Sequence, residues 1–219
     1  MSRRRPPLRK LPLLDRGGEN DYRHSMGLPN KLTAVRLVLS PVIFLVFFIP
    51  LWTGKLSVAS VPVLWVLFLT IETTDILDGH LARLWDQVSE IGKLLDPFAD
   101  VISRLTYFLC FTGIGLMPIW ILAVLVYREV AITFLRLVMS RRGIAMGASI
   151  WGKLKAVTYA VSGVVGFLVI SLERLSLFPF FTKPGTDLAV GLFVLAAVTS
   201  VGSFVTYLRT VLQSEQQAR

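Results

Sequence analysis

Residues 93–127 read KLLDPFADVISRLTYFLCFTGIGLMPIWILAVLVY, and whether this stretch is one membrane-crossing helix or two decides the architecture. Its charge-free part, 105–127, fits a single span, because a helix needs ~17–25 apolar residues to cross a bilayer. The break Thr112-Gly113-Ile114-Gly115, followed by Pro118, divides it differently, into helices of about 93–112 and 118–139. Glycine and proline are tolerated inside spans, so the break alone does not choose. The rest of the chain does. Charge-free runs also occupy 37–54, 57–71, 156–172 and 188–208. A single span at 105–127 makes five in all, and an odd number puts the termini on opposite sides.

The cations argue against that. Arg3, Arg4, Arg5, Arg9, Lys10, Arg16, Arg23 and Lys31 crowd the beginning; Arg141, Arg142, Lys153 and Lys155 form a second group; Arg209 and Arg219 close the chain. Lysine and arginine are retained on the cytoplasmic side. Both termini and the 141–155 stretch therefore belong there, and the expected fold is all-α with six transmembrane helices. Residues 1–27 read as a cytoplasmic arm with room for an interfacial helix near Leu11–Leu14, 28–210 as the six-helix domain, and 211–219 as a cytoplasmic tail.

Composition supports a membrane protein: 54% of residues are hydrophobic and 17% charged, and mean hydropathy is +0.66. The net charge of +9 accordingly describes orientation and contact with lipid, not nucleic-acid binding. No apolar segment follows the early arginines closely enough for a signal peptide. The single cysteine, Cys110, has no partner for an intrachain disulfide and reads as a buried thiol. The first helix is expected to start at Asn30 or Thr33 and to reach Phe48, where Pro50 and Gly54 interrupt it. The second begins near Ser57, with Pro62 in its first turns. The last two cover roughly 154–172 and 187–209, joined by an outside loop with Pro179 and Pro184.

Acidic residues break this apolar pattern at regular spacing. Asp75 and Asp78 are three apart and Asp96 and Asp100 four apart, so each pair shares a helix face. Four carboxylates near a membrane surface repel one another and resist dehydration unless a cation lies among them. Hard divalent ions such as Mg²⁺ or Mn²⁺ prefer carboxylate oxygen, and two helices with two acids each suit a two-metal centre for phosphoryl-type transfer. Single acids at a helix end serve as interface residues just as well, and Gly79 and Ala82 suit helix packing as well as close approach of a nucleotide.

Taken together, Asp75-x2-Asp78-Gly79-x2-Ala82-Arg83-x8-Gly92-x3-Asp96-x3-Asp100 resembles the signature of the CDP-alcohol phosphatidyltransferase family, with every defining position present. The resemblance implies a six-helix enzyme of the cell membrane, usually a homodimer, with its acidic site open to the cytoplasm. It implies that Asp75, Asp78, Asp96 and Asp100 hold two Mg²⁺ or Mn²⁺ ions and that Asp100 also acts as general base. Gly79, Ala82, Arg83 and Gly92, with Asp75 and Asp78, would shape the site for the CDP moiety of CDP-diacylglycerol, whose acyl chains stay among the membrane lipids.

The acceptor alcohol varies within the family. Asn30-Lys31-Leu32-Thr33-Ala34-Val35-Arg36, Gly92-Lys93-Leu94-Leu95-Asp96-Pro97-Phe98-Ala99-Asp100, Arg128-Glu129-Val130-x5-Arg136 and Gly152-Lys153-x-Lys155 resemble, in this order, the bacterial branch whose acceptor is glycerol 3-phosphate. An acceptor bearing a phosphate dianion needs cationic partners, and Arg36, Arg128, Arg136 and Lys153 are the candidates. The same side chains also suit snorkelling at helix ends, or ion pairs with the acids. Two positions depart from that branch: Val101 stands where lysine is common and Ala156 where threonine is common. His80 falls at a variable position of the motif, and His24 in the arm. The rival readings are another acceptor, such as inositol phosphate or phosphatidylglycerol, and a divalent-cation or phosphate transporter.

Overall fold

Long apolar runs give six helices in the computed structural model, which describes residues 28–85, 90–141 and 150–217. They are α1 (Leu28–Thr53), α2 (Ser57–Trp85), α3 (Glu90–Gly113), α4 (Ile119–Arg141), α5 (Ile150–Arg174) and α6 (Pro179–Gln217). The 93–127 stretch is thus divided in two. After α3 the chain reverses at Gly115, whose φ of +79° suits a residue without Cβ. Its N–H donates to the Thr112 carbonyl at 3.0 Å.

Prolines stop the chain less often than their positions suggest. Pro50 lies inside α1, which continues past Phe48 to Thr53. Pro179 is the first residue of α6 and Pro184 lies within its early turns, so the expected loop shrinks to residues 175–178. Proline at the start of a helix gives up an N–H that has no intrahelical partner there anyway. Residues 1–27, where a basic arm with an interfacial helix is expected, lie outside the described residues, as does Arg142.

Among the described residues, four helices contain stretches long and apolar enough to cross a membrane: Thr33–Thr53, Ser57–Asp75, Ile150–Arg174 and Pro179–Gln213. Their outward faces carry large apolar side chains such as Val38, Leu45, Val66 and Leu168, as lipid contact requires. The chain is a membrane protein. Helices α3 and α4 are less apolar because Asp96, Asp100 and Arg104, and Arg128, Glu129 and Arg136, interrupt them.

Helix α1 packs on α2 and α3, α5 lies along α6, and α4 bridges α3 and α6. An aromatic core fills the centre. Phe68 and Phe167 stand 4.9 Å apart, Phe111 and Phe167 5.1 Å, and Phe108 and Tyr159 5.3 Å, between ring centroids. Arg174 fastens the end far from the aspartates, donating to Ser60 Oγ at 2.6 Å and to the Phe47 carbonyl at 2.7 Å. Cys110 is fully buried.

Close helix approach depends on Gly166 of α5. A Cβ built there would stand 2.4 Å from the Phe111 ring, itself wholly buried. Gly166→Ala should therefore destabilise the bundle by about 1–3 kcal/mol, the usual cost of overpacking. A lower apparent unfolding temperature in detergent, followed by tryptophan fluorescence, is the check; an unchanged midpoint would mean that Phe111 yields freely.

Candidate active site

The second half of α2 and the first half of α3 run side by side with the start of α1, and this arrangement gathers the acids. Arg36 of α1 is completely buried. It donates to Asp75 Oδ1 at 2.5 Å through Nη1 and to Asp96 Oδ1 through Nη2. Arg104 of α3 donates through Nη2 to Asp75 Oδ2 at 3.0 Å and through Nε to Asp100 Oδ1 at 2.6 Å. Two guanidinium groups therefore tie together three carboxylates from two helices. The aspartates keep partial access to solvent, with side-chain exposures of 30% for Asp75, 48% for Asp96 and 30% for Asp100.

This arrangement bears directly on metal binding. Among the described residues no three metal-ligating side chains stand together, and the Asp78 side chain is outside that set. The donor set nevertheless fits a divalent ion: hard carboxylate oxygens from one face of each helix, brought together where positive charge is required. The guanidinium groups supply that charge here. Asp78, Gly79, Ala82, Arg83 and Gly92 lie on α2 and α3, but their side chains fall outside the described residues, as does the side chain of His80.

Beside Asp100 opens a cavity of about 150 Å³, walled by α3, α4 and α5. Its charged lining consists of Asp100, Arg104, Arg128, Glu129, Arg136 and Lys155. Arg128, buried, donates to the Ser200 carbonyl at 3.2 Å, to Glu129 Oε1 at 2.9 Å and to Ser203 Oγ at 2.8 Å. Lys155 Nζ reaches the same Glu129 oxygen at 2.6 Å, and Tyr159 donates to it at 3.0 Å. Arg136 donates to the Tyr207 hydroxyl at 2.8 Å and lies 5.1 Å from that ring's centroid. Arg128 and Arg136 are thus held from behind by polar groups of α6, and Lys155 by Glu129 of α4.

The predicted acceptor set divides. Arg128 and Arg136 line the cavity. Arg36 belongs to the aspartates, in the ion-pair role that its position also permitted. Lys153 is exposed and outside the lining, whereas Lys155, two residues on, is inside it. Residues two apart point to nearly opposite faces of a helix, and only packing reveals which face is inward. Val101 and Ala156, the two departures, both line this cavity, so the missing lysine and threonine are absent from its wall. Sequence reasoning missed Arg104, although its position one turn after Asp100 was the available signal, and it missed the part played by Glu129.

Comparison with known proteins follows the same pattern. The profile of the CDP-alcohol phosphatidyltransferase family matches residues 26–202. The chain is 35% identical over 202 residues to a protein of Treponema pallidum named CDP-diacylglycerol--glycerol-3-phosphate 3-phosphatidyltransferase, covering 84% of this chain and 89% of the relative. A Bacillus subtilis protein of the same name is 35% identical over 179 residues, covering 79% and 90%. A probable cardiolipin synthase (CMP-forming) of Drosophila melanogaster is 39% identical over 108 residues, covering 48% of this chain and 30% of its own.

Proposed function

Because this chain belongs to the CDP-alcohol phosphatidyltransferase family, we infer that it transfers the phosphatidyl group of CDP-diacylglycerol to glycerol 3-phosphate, giving phosphatidylglycerophosphate and CMP. One observation narrows the acceptor to a phosphate monoester. The cavity beside Asp100 is lined by four cations and two carboxylates, a surplus of two positive charges. A phosphate monoester dianion balances that surplus; serine or another uncharged alcohol leaves it uncompensated. The acceptors named by the Treponema pallidum and Bacillus subtilis relatives agree. Phosphatidylglycerol, the acceptor of the cardiolipin-forming reading, offers only a phosphodiester monoanion on a bulky lipid.

The mechanism follows from the lining. Arg128, Arg136 and Lys155 bind the acceptor phosphate and turn its primary hydroxyl toward Asp100. Asp100 removes the hydroxyl proton as the oxygen attacks the phosphorus that bears diacylglycerol. The bond from that phosphorus to the CMP oxygen breaks, and CMP leaves. Asp75, Asp78, Asp96 and Asp100 would hold Mg²⁺ or Mn²⁺, two ions in all, which lower the charge on the phosphate oxygens and on the leaving group. Gly79, Ala82, Arg83 and Gly92 form the nucleotide side of the site. Among the described side chains none is poised as a dedicated nucleophile, and we read the displacement as direct.

The same reading extends to the architecture. All six helices cross the membrane: α3 has 24 residues and α4 has 23, which at 1.5 Å per residue gives each about 35 Å, enough for the hydrocarbon core. Their charges face the bundle, as intramembrane charges must. Residues 1–27 and 211–219 are cytoplasmic, 28–210 form the catalytic domain, and the enzyme works as a homodimer in the cytoplasmic membrane.

The test is CMP release by detergent-purified protein given CDP-diacylglycerol and Mg²⁺, with glycerol 3-phosphate, inositol phosphate, serine and phosphatidylglycerol as parallel acceptors. Release that depends on glycerol 3-phosphate supports the reading. Release with another acceptor keeps the chemistry and overturns the acceptor, and phosphate or cation flux without CMP would point to a transporter. Lys155→Met should raise the KM for glycerol 3-phosphate by about tenfold or more, since it removes a charged hydrogen-bond donor. Lys153→Met should change it less than about twofold, as expected of an exposed charge. The reverse order would move the phosphate out of this cavity.

A further inference from the structure

Glu129 brings a carboxylate into a cavity built for an anion, and its two oxygens are used unequally. Oε1 accepts from Arg128 at 2.9 Å, Lys155 at 2.6 Å and Tyr159 at 3.0 Å. None of these three bonds goes to Oε2. The two cations on Oε1 offset the carboxylate charge, so a phosphate held by Arg128 and Lys155 is not repelled. A carboxylate can only accept hydrogen bonds, and Glu129 lines the cavity, so Oε2 is open to a donor on whatever fills it. The partner chemistry of Oε2 is therefore a hydroxyl or an amine.

Glycerol 3-phosphate offers one. Its primary hydroxyl attacks and belongs to Asp100, while its phosphate belongs to Arg128, Arg136 and Lys155. The secondary hydroxyl lies between these groups, and in about 150 Å³ the remaining carboxylate is Glu129. We propose that Glu129 Oε2 accepts the hydrogen bond of the acceptor's secondary hydroxyl, which restricts the site to diol phosphates and rejects simple hydroxyalkyl phosphates. The proposal rests on the glycerol 3-phosphate reading above and makes Glu129 its specificity-determining residue.

The experiment compares sn-glycerol 3-phosphate with 3-hydroxypropyl phosphate, which lacks only the secondary hydroxyl. CMP release by the full-length protein is measured with each, using CDP-diacylglycerol and Mg²⁺. Both acceptors share the phosphate and the primary hydroxyl, so the ratio of their kcat/KM values isolates the contact. The wild type should prefer glycerol 3-phosphate on the order of 10²-fold, the upper range for one hydrogen bond to a charged group. Glu129→Ala should bring the ratio to within about threefold of unity by the same reasoning. If that variant does not elute as folded protein, Glu129→Gln, which keeps the volume, should lower the ratio at least about fivefold, because a charge-assisted bond is lost. A wild-type ratio near one overturns the proposal. An unchanged ratio in a folded, active variant also overturns it and leaves Thr133, which lines the same cavity, to bind the hydroxyl. In both cases CMP release with glycerol 3-phosphate persists; its absence in the wild type would instead remove the parent reading.

Discussion

Asp100→Asn is expected to lower CMP release by about 10³-fold while leaving the protein folded, the magnitude typical of removing a positioned general base. The substitution is close to isosteric. The asparagine carbonyl can still accept the bond that Arg104 Nε now makes to Asp100 Oδ1 at 2.6 Å, so α3 keeps its internal tie. The variant loses the charge and basicity that draw the proton from the attacking hydroxyl. Size-exclusion elution and unfolding temperature should match the wild type. KM for glycerol 3-phosphate should change far less than kcat, because the proposed phosphate site of Arg128, Arg136 and Lys155 does not depend on Asp100. Retention of more than about a tenth of wild-type activity, small beside the range for a general base, would shift that role to Glu129, the other acid lining the cavity.

Much of this molecule is legible in its sequence, for reasons that differ from part to part. The outlines of α1, α2, α5 and α6 follow from uninterrupted apolar runs, since lipid tolerates little else. The division of 93–127 into α3 and α4 needed an argument about charge and topology, because Gly113, Gly115 and Pro118 fit a kinked single span equally well. The aspartates could be recognised because their spacing matches one helical turn. Their partners were legible only in part: Arg104 stands one turn after Asp100 and an ion-pair role was open to Arg36, but the pairings between helices were not. Arg36 meets Asp96 from 60 residues away and Arg104 meets Asp75 from 29 away, and no local spacing encodes either encounter. Helix α6 looked like an apolar span alone, yet Ser200, Ser203 and Tyr207 secure the cavity's arginines. A serine carbonyl, a serine hydroxyl and a tyrosine hydroxyl within a hydrophobic run carry no sign of which way they point.

Arg104→Met is expected to make the stability of the protein depend on divalent metal. Arg104 is 9% exposed at its side chain and serves two carboxylates at once. Removing one partner of a buried pair costs about 3–5 kcal/mol, and the lower end applies because both aspartates remain 30% exposed. At roughly 2–4 °C per kcal/mol for a chain of this size, the apparent unfolding temperature without metal should fall by roughly 6–12 °C. Asp75 and Asp100 would then have lost their shared cation, and Asp75 would retain only Arg36. Mg²⁺ bound to the same carboxylates offsets that loss, and a ligand that binds only the folded state stabilises it in proportion to its occupancy. Saturating Mg²⁺ should therefore raise the midpoint of Arg104→Met by several degrees more than that of the wild type, a difference that size and detergent cannot produce. Arg36→Met should behave similarly through Asp75 and Asp96. Equal Mg²⁺ shifts in wild type and both variants would show that the arginines and the metal do not share these acids, and the two-ion assignment would have to move to other residues.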